Sequence, residues 1–189
     1  MLDRLREFAG LAPRQGWCVA AMLELTGLGR VAEGTDTPHF VDFLRHAADE
    51  AVSSAEARGA RGEILEAGTF LACFSADHCP EPGPSAIEWA LGLGRTCRAL
   101  GARFAGAVVP PHYAAALASG HGVFGRRGGD HVVTGDPVFV ARRLLAAALP
   151  SESVFVDDTL AVVLSPARHF ELIRARDGEK AFAAHRLVD

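Results

Sequence analysis

The sequence contains no asparagine and a single lysine, Lys180, close to its C-terminal end; the other basic residues are arginine. A mechanism that needs a core Schiff-base lysine, a phosphate-loop lysine or an asparagine in a transition-state clamp has no residue to use. Basic surplus is lacking too. With 23 Asp and Glu against 19 Lys and Arg, a net charge of −4 gives little to release counterions from a phosphate backbone, and general nucleic-acid binding is not expected. The longest stretch without a charged residue, Phe104 to Gly125, is long enough for a membrane span but carries Pro110, Pro111, His112, His121 and four glycines, so it is rejected as one. The first sixteen residues lack the apolar run and small-residue cleavage site of a secretory signal, which sets a cytoplasmic expectation. Cys18, Cys73, Cys79 and Cys97 are irregularly spaced and read as buried thiols rather than a disulfide framework.

What is present is a chain of 189 residues, 49% apolar and 22% charged, the composition of one domain with a sizeable core. Residues 1–16 read as an N-terminal extension and 17–189 as the domain. Trp17 to Leu25 is an apolar run without alternation, expected to be a buried central strand. Thr37, followed by Pro38, is expected to cap a helix in which Phe40, Phe43, Leu44, Ala47, Ala48, Ala51 and Val52 recur at helical spacing until Gly59. Gly62 to Glu66 and Phe70 to Phe74 predict a hairpin. A second helix is expected from a Ser85 cap to Gly101, and a strand over Phe104 to Val109. Ala114 to Gly135 reads as irregular, with two short strands around the turn GRRGGD. Asp136 is expected to cap a third helix that holds Pro137 in its first turn and ends at Pro150. Val154 to Val156, Phe170 to Ala175 and Ala181 to Val188 complete the strands. This order predicts an α+β domain with helices packed on a mostly antiparallel sheet.

HVVTGDPVFVARRLLAAALPSESVFV, residues 131–156, resembles the segment of class III adenylate/guanylate cyclase domains that reads YTVIGDxVNLAARLxxxAxPGxxxV, with Gly135, Asp136, Val138, Ala141, Arg143, Leu144 and Pro150 in register. AAMLELTGLGRVAE (20–33) is similar to that family's first strand and turn, GEILEAGTFLACF (62–74) to its hairpin, and the final HFELIRARDGEKAFAAHRLV to its closing strands. The resemblance implies a ferredoxin-like α+β fold. It also implies a nucleotide site in a cleft between two chains, where two aspartates hold two Mg or Mn ions and a partner's Asn and Arg complete the site.

Residue by residue, this sequence departs from that site. The first metal aspartate falls at Glu24, a longer carboxylate. The second falls at Gly68 or Thr69, neither of them acidic. The purine-reading lysine has at best Glu66, of opposite sign, and the second base-reading position is Val132, which offers no hydrogen bond. The ribose-orienting asparagine becomes Phe139, and Arg143 alone of the catalytic set remains. The absence of Asn anywhere and of Lys before position 180 makes two of these losses independent of register.

Simpler roles stand beside each residue. Arg143, next to Arg142, is expected to be solvated or ion-paired, and Glu24 to pair with a nearby arginine. Phe40, Phe43 and Phe139 are expected in the core or an interface. Cys73, Asp77, His78 and Cys79 lack zinc-site spacing. GGD at 128–130 is followed by His131 and Val132 and is read as a turn. The expectation is thus a catalytically inactive cyclase-like domain, acting in a bacterial cytoplasm as a regulatory or protein-interaction module, with no cofactor. A homodimer or a heterodimer with another signalling protein is expected, without nucleic acid or a membrane span. The alternative is a divergent nucleotide-binding domain or residual cyclase, alone or as half of a heterodimer, with Mg or Mn held at Glu24.

Overall fold

In the computed structural model the described residues are 14–104, 111–127, 130–149, 153–177 and 180–188. Eight strands form one sheet, β1 (Arg14–Thr26), β2 (Arg61–Glu66), β3 (Thr69–Ser75), β4 (His112–Arg127), β5 (Asp130–Gly135), β6 (Val154–Val156), β7 (Phe170–Asp177) and β8 (Lys180–Leu187). Five helices accompany them, α1 (Leu28–Glu33), α2 (Thr37–Glu56), α3 (Pro82–Phe104), α4 (Asp136–Ala148) and α5 (Asp158–Leu164). The strand order is β2-β3-β1-β4-β6-β8-β7, and β5 pairs with β4 off that path. Every pairing is antiparallel except β4 with β6, so the expected α+β architecture with a mostly antiparallel sheet is observed.

The sheet separates two cores because successive side chains of a strand point to opposite faces. Val19, Ala21, Leu23 and Leu25 of β1 face α2, α3 and α5, where Phe43, Phe74, Trp89, Leu93 and Leu160 fill the layer. Ala20 and Met22 face α4, together with Leu71, Ala116, Leu144, Leu145 and Phe155. Cys73 and Cys79 fall in different layers, so the two thiols stand on opposite faces of the sheet. All four cysteines are free and buried; burial pushes Cys18 up to about 11 and Cys97 up to about 12, which keeps them protonated at neutral pH.

Several boundaries differ from the sequence expectations. The cap of α2 is Asp36, whose carboxylate accepts the His39 N–H at 3.0 Å, and Thr37 is already helical. Helix α3 begins at Pro82 rather than at a Ser85 cap: Pro82 and Pro84 sit in the first turn, where a missing N–H costs nothing. The Ser85 hydroxyl instead accepts from the Cys79 thiol. Gly101 does not end α3, which continues to Phe104. It is needed because Pro111 packs against it, and a Cβ there would lie 2.1 Å from the proline Cδ. The strand expected over 104–109 therefore loses Phe104 to the helix, and residues 105–109 lie outside the described residues. Residues 128–129 lie outside the described residues; the two strands expected around GRRGGD are observed as β4 and β5, but β4 is long rather than short and takes in the residues from 114 expected to be irregular. Their Ala and Gly content reads poorly as strand, yet β4 is central, and small side chains let both layers approach it. Asp136 is the first residue of α4 rather than its cap, the cap position being Gly135. Helix α5, capped by Asp157, was not anticipated; its seven residues are too few for a periodic signal.

Two glycines of α3 make a paired test. Gly92 faces open space, whereas a Cβ on Gly94 would enter the Tyr113 ring at 2.3 Å. Gly92→Ala should stabilise the fold by about 0.5–1 kcal/mol through helix propensity, and Gly94→Ala should destabilise it by about 1–3 kcal/mol, read as opposite shifts of the urea midpoint.

Candidate functional site

The end of β1 carries Glu24, and its cross-strand partner on β3 is Thr69, which in turn opposes Glu66 on β2. Directly opposed residues share a face, so Glu24, Thr69 and Glu66 form a row across three strands on the α4 side of the sheet. Thr69 is buried, Glu24 half-buried and Glu66 exposed. Burial first, and the like charge of Glu66 second, raise the Glu24 carboxyl above its usual range. The expected arginine partner of Glu24 is not found: among the described residues it makes no ion pair, and the charge that acts on it is another carboxylate.

One further carboxylate faces the same way. Glu63 opposes Leu71 of β3, and its carboxyl is raised by burial despite accepting the Val133 N–H and the proximity of Arg61. Its Oε1 is buried without a hydrogen-bond partner among the described residues. Sequence reasoning passed over Glu63 because its burial comes from β5 folding back beside it, a tertiary event with no local pattern.

The turn between β2 and β3 is held against β1 by the Leu25 N–H, which donates to the Gly68 carbonyl at 2.9 Å. Gly68 has φ +83°, a left-handed conformation that side chains rarely adopt. A Cβ there would lie 2.6 Å from Cδ1 of Leu28 and 3.5 Å from Cβ of Leu25. Leu28 opens α1 immediately after Gly27, itself at φ +76°, and the Arg30 side chain lies against that glycine. The space beside Gly68 is therefore filled by hydrocarbon.

The remaining candidates are elsewhere in the chain. Phe139 and Arg143 are one helical turn apart on the exposed face of α4, and Phe139 is 65% exposed, so it is not a core residue of this chain. Phe43, in contrast, is fully buried and Phe40 partly so. The Arg143 guanidinium stacks over the Phe182 ring of β8 at 4.1 Å. Val132 lies on β5 opposite Gly125, whereas Glu24 opposes Ala114 at the other end of β4. The structure thus brings together Glu24, Glu66 and the Gly68–Thr69 turn, sets Val132 on β5 next to Val133, whose N–H meets Glu63 of β2, and carries Phe139 and Arg143 on α4.

A divalent cation does not fit this row. Glu24 is the one carboxylate at a position matching a metal ligand, the matching second position is Gly68 or Thr69, neither of them acidic, and the side-chain direction at Gly68 meets a Leu28 methyl group in the layer opposite Glu24. Among the described residues no cluster of three or more His, Cys, Asp or Glu side chains could hold a metal.

Comparison with solved structures places the fold. The chain is similar to the adenylyl cyclase CyaB from P. aeruginosa, at a TM-score of 0.79 and 14% identity over 95% of this chain and 97% of that one. It is similar to the guanylate cyclase domain of RhGC from Catenaria anguillulae in complex with GTP (0.72, 15% identity, 93% and 98% covered). A dimeric guanylyl cyclase domain of the RhoGC fusion protein from Blastocladiella emersonii superposes at 0.73 with 14% identity, covering 93% and 96%. No protein-family model and no curated protein sequence matches the chain. The fold is that of adenylyl and guanylyl cyclase catalytic domains. Among the described residues no helix is long and apolar enough to cross a membrane.

Glu24 generates a pH-dependent prediction. A carboxyl raised on folding holds its proton more tightly in the folded than in the unfolded chain. Its contribution is most favourable below the unfolded value near 4.3 and declines as pH rises through the folded value. Glu24→Gln should therefore leave stability at pH 4 nearly unchanged and raise it at pH 7 by a few tenths to about 1 kcal/mol, the screened worth of a half-exposed group. Urea titrations of both proteins at the two pH values check this.

Proposed function

We propose that the domain is a catalytically inactive relative of the class III nucleotide cyclases that works as a regulatory or protein-interaction module. The observation that carries this reading is the packing of Leu28 against Gly68. At the turn where a cyclase would place its second metal carboxylate, this chain has a left-handed glycine whose side-chain direction is closed by a methyl group. Glu66, Val132 and Phe139 stand where base and ribose would be read, and offer a repelling charge or hydrocarbon in place of matched donors. Arg143 is engaged on Phe182, and a lone cation without metals or ribose contacts supplies little transition-state stabilisation.

The purified domain should form no cyclic nucleotide from ATP or GTP with Mg²⁺ or Mn²⁺, measured by chromatography of the products. Turnover abolished by Glu24→Ala would overturn the reading in favour of a divergent cyclase. The variant Gly68→Asp with Phe139→Asn should also remain inactive. The aspartate introduced at position 68 must displace Leu28 and accept a positive φ, and this should lower stability by about 1–3 kcal/mol in urea unfolding.

The interaction surface supported by the structure lies on α4, where Phe139 and Val140 are exposed at 65% and 39% in the single chain. Isolated surface apolar residues are ordinary, but a phenylalanine at the position of a cyclase's cleft residue, beside a stacked arginine, fits a dry association surface. The domain should self-associate at tens of micromolar in sedimentation equilibrium, and Phe139→Asp should weaken association by roughly 2 kcal/mol or more, about 30-fold. A monomeric wild type would leave a heterodimeric partner as the better reading.

A further inference from the structure

The sheet ends on β7, and among the described residues no strand covers its outer edge. That edge is unusually well prepared for pairing. Its eight residues, FELIRARD, contain no proline, and they run in unbroken register with β8 from Phe170↔Leu187 to Asp177↔Lys180. A groove of about 570 Å³ lies on the same two strands, lined by Leu172, Ile173, Arg174, Ala181, Phe182 and Ala183.

The two faces of this ribbon differ. Ile173, Ala175, Phe182 and Ala184 pack toward α4. On the other face Leu172 opposes His185, Arg174 opposes Ala183 and Arg176 opposes Ala181. His185 is engaged with Asp158 of α5 at 2.8 Å, but beyond it the floor is two exposed alanines, and Leu172 is 64% exposed. The result is an exposed strip with one large apolar side chain, Leu172, and two cations in line, Arg174 and Arg176. Neither arginine makes an ion pair among the described residues, whereas Glu171, the acidic neighbour on the opposite face, is held by Arg186.

We propose that β7 is a docking edge that accepts an extended, acidic segment of a partner protein as a ninth strand, its carboxylates meeting Arg174 and Arg176 and its apolar side chains resting on Leu172. Main-chain hydrogen bonds give such a mode its affinity and alternate side chains its selectivity. The charges select the occupant. A second copy of this chain paired edge to edge would bring four arginines to one seam, the like-charge arrangement that natural edges use to prevent self-pairing. Nucleic acid is disfavoured because two cations on a chain of net charge −4 neutralise too few phosphates. The edge is separated from Glu24 and Gly68 by β4, β6 and β8, so the inference goes beyond the proposed function and is read by an assay that does not involve nucleotide.

The test uses the whole chain and a fluorescein-labelled peptide of about eight residues alternating glutamate and valine. Fluorescence anisotropy should show saturable binding, and hydrogen exchange should show added protection confined to residues 170–177. Arg174→Glu with Arg176→Glu should weaken binding tenfold or more, as should alternate N-methylation of the peptide or replacement of its glutamates by lysine. Leu172→Asp should weaken it by a similar factor, and thermal melts of both variants establish that they remain folded. The proposal is overturned by absence of saturable binding up to about 1 mM peptide, by equal binding of the lysine peptide, or by protection elsewhere. It is likewise overturned by stronger binding of a single-stranded oligonucleotide, or by self-association through β7 that the peptide does not displace.

Discussion

The antiparallel pairing of β1 with β4 is the constraint from which the rest of the architecture follows. It runs from Arg14↔Phe124 to Thr26↔His112 and places Ala20, Ala21, Ala114, Ala115, Ala116 and Ala118 at the centre of the sheet. Alanines there contribute little burial of their own. Their value is the room they leave: Phe43, Phe74 and Trp89 approach from one side and Leu144 and Leu145 from the other, so the large side chains come from the helices and flanking strands. A long ladder of this kind also fixes register, since a slip of one residue would exchange the two cores. The register in turn puts Glu24 beside Thr69, and the end of β1 over the β2–β3 turn.

The closure of the candidate metal position is a consequence of that same geometry. Once the Leu25 N–H is bonded to the Gly68 carbonyl, the next element of the chain must turn within two residues, and it does so through Gly27 into α1. Leu28 then points back over the turn because it is the first helical residue, and the only residue that fits beneath its methyl group at φ +83° is glycine. Leu28 and Gly68 are therefore a matched pair. Placing a carboxylate at position 68 requires changing both, and the backbone as well.

The sequence discloses the parts of the structure that obey a period. The strand at Trp17 to Leu25, the hairpin at 62–74, the helix around Phe43 and the closing hairpin are all where apolar spacing and turn residues put them. What it hides depends on contacts distant in the chain. Gly101 reads as a helix stop until Pro111 is seen to need its space, and the alanine-rich stretch 114–122 reads as irregular until its strand neighbours on both sides are known. The site divides in the same way. The absence of asparagine and the scarcity of lysine are legible by counting, whereas the filling of the space at Gly68 by Leu28, the burial of Glu63 beneath β5 and the stacking of Arg143 on Phe182 are tertiary facts.

Electrostatics separates the two ends of the sheet. At the β1–β2–β3 end three carboxylates, Glu24, Glu63 and Glu66, share one face. Burial raises two of them, and Glu66 adds its charge to Glu24 without an offsetting cation on that residue. An anion at that end would meet the negative charge of these carboxylates. At the β7–β8 end, among the described residues, Arg174 and Arg176 are exposed, and the acidic neighbours Glu171 and Asp158 are engaged by Arg186 and His185. A polyanionic small molecule needs its counter-charges converging on one point, whereas Arg174 and Arg176 are spaced along a strand at a two-residue interval of about 7 Å. Charge laid out at that repeat matches another extended chain. Among the described residues, this linear pair of cations stands at the opposite end of the sheet from Glu24, Glu63 and Glu66.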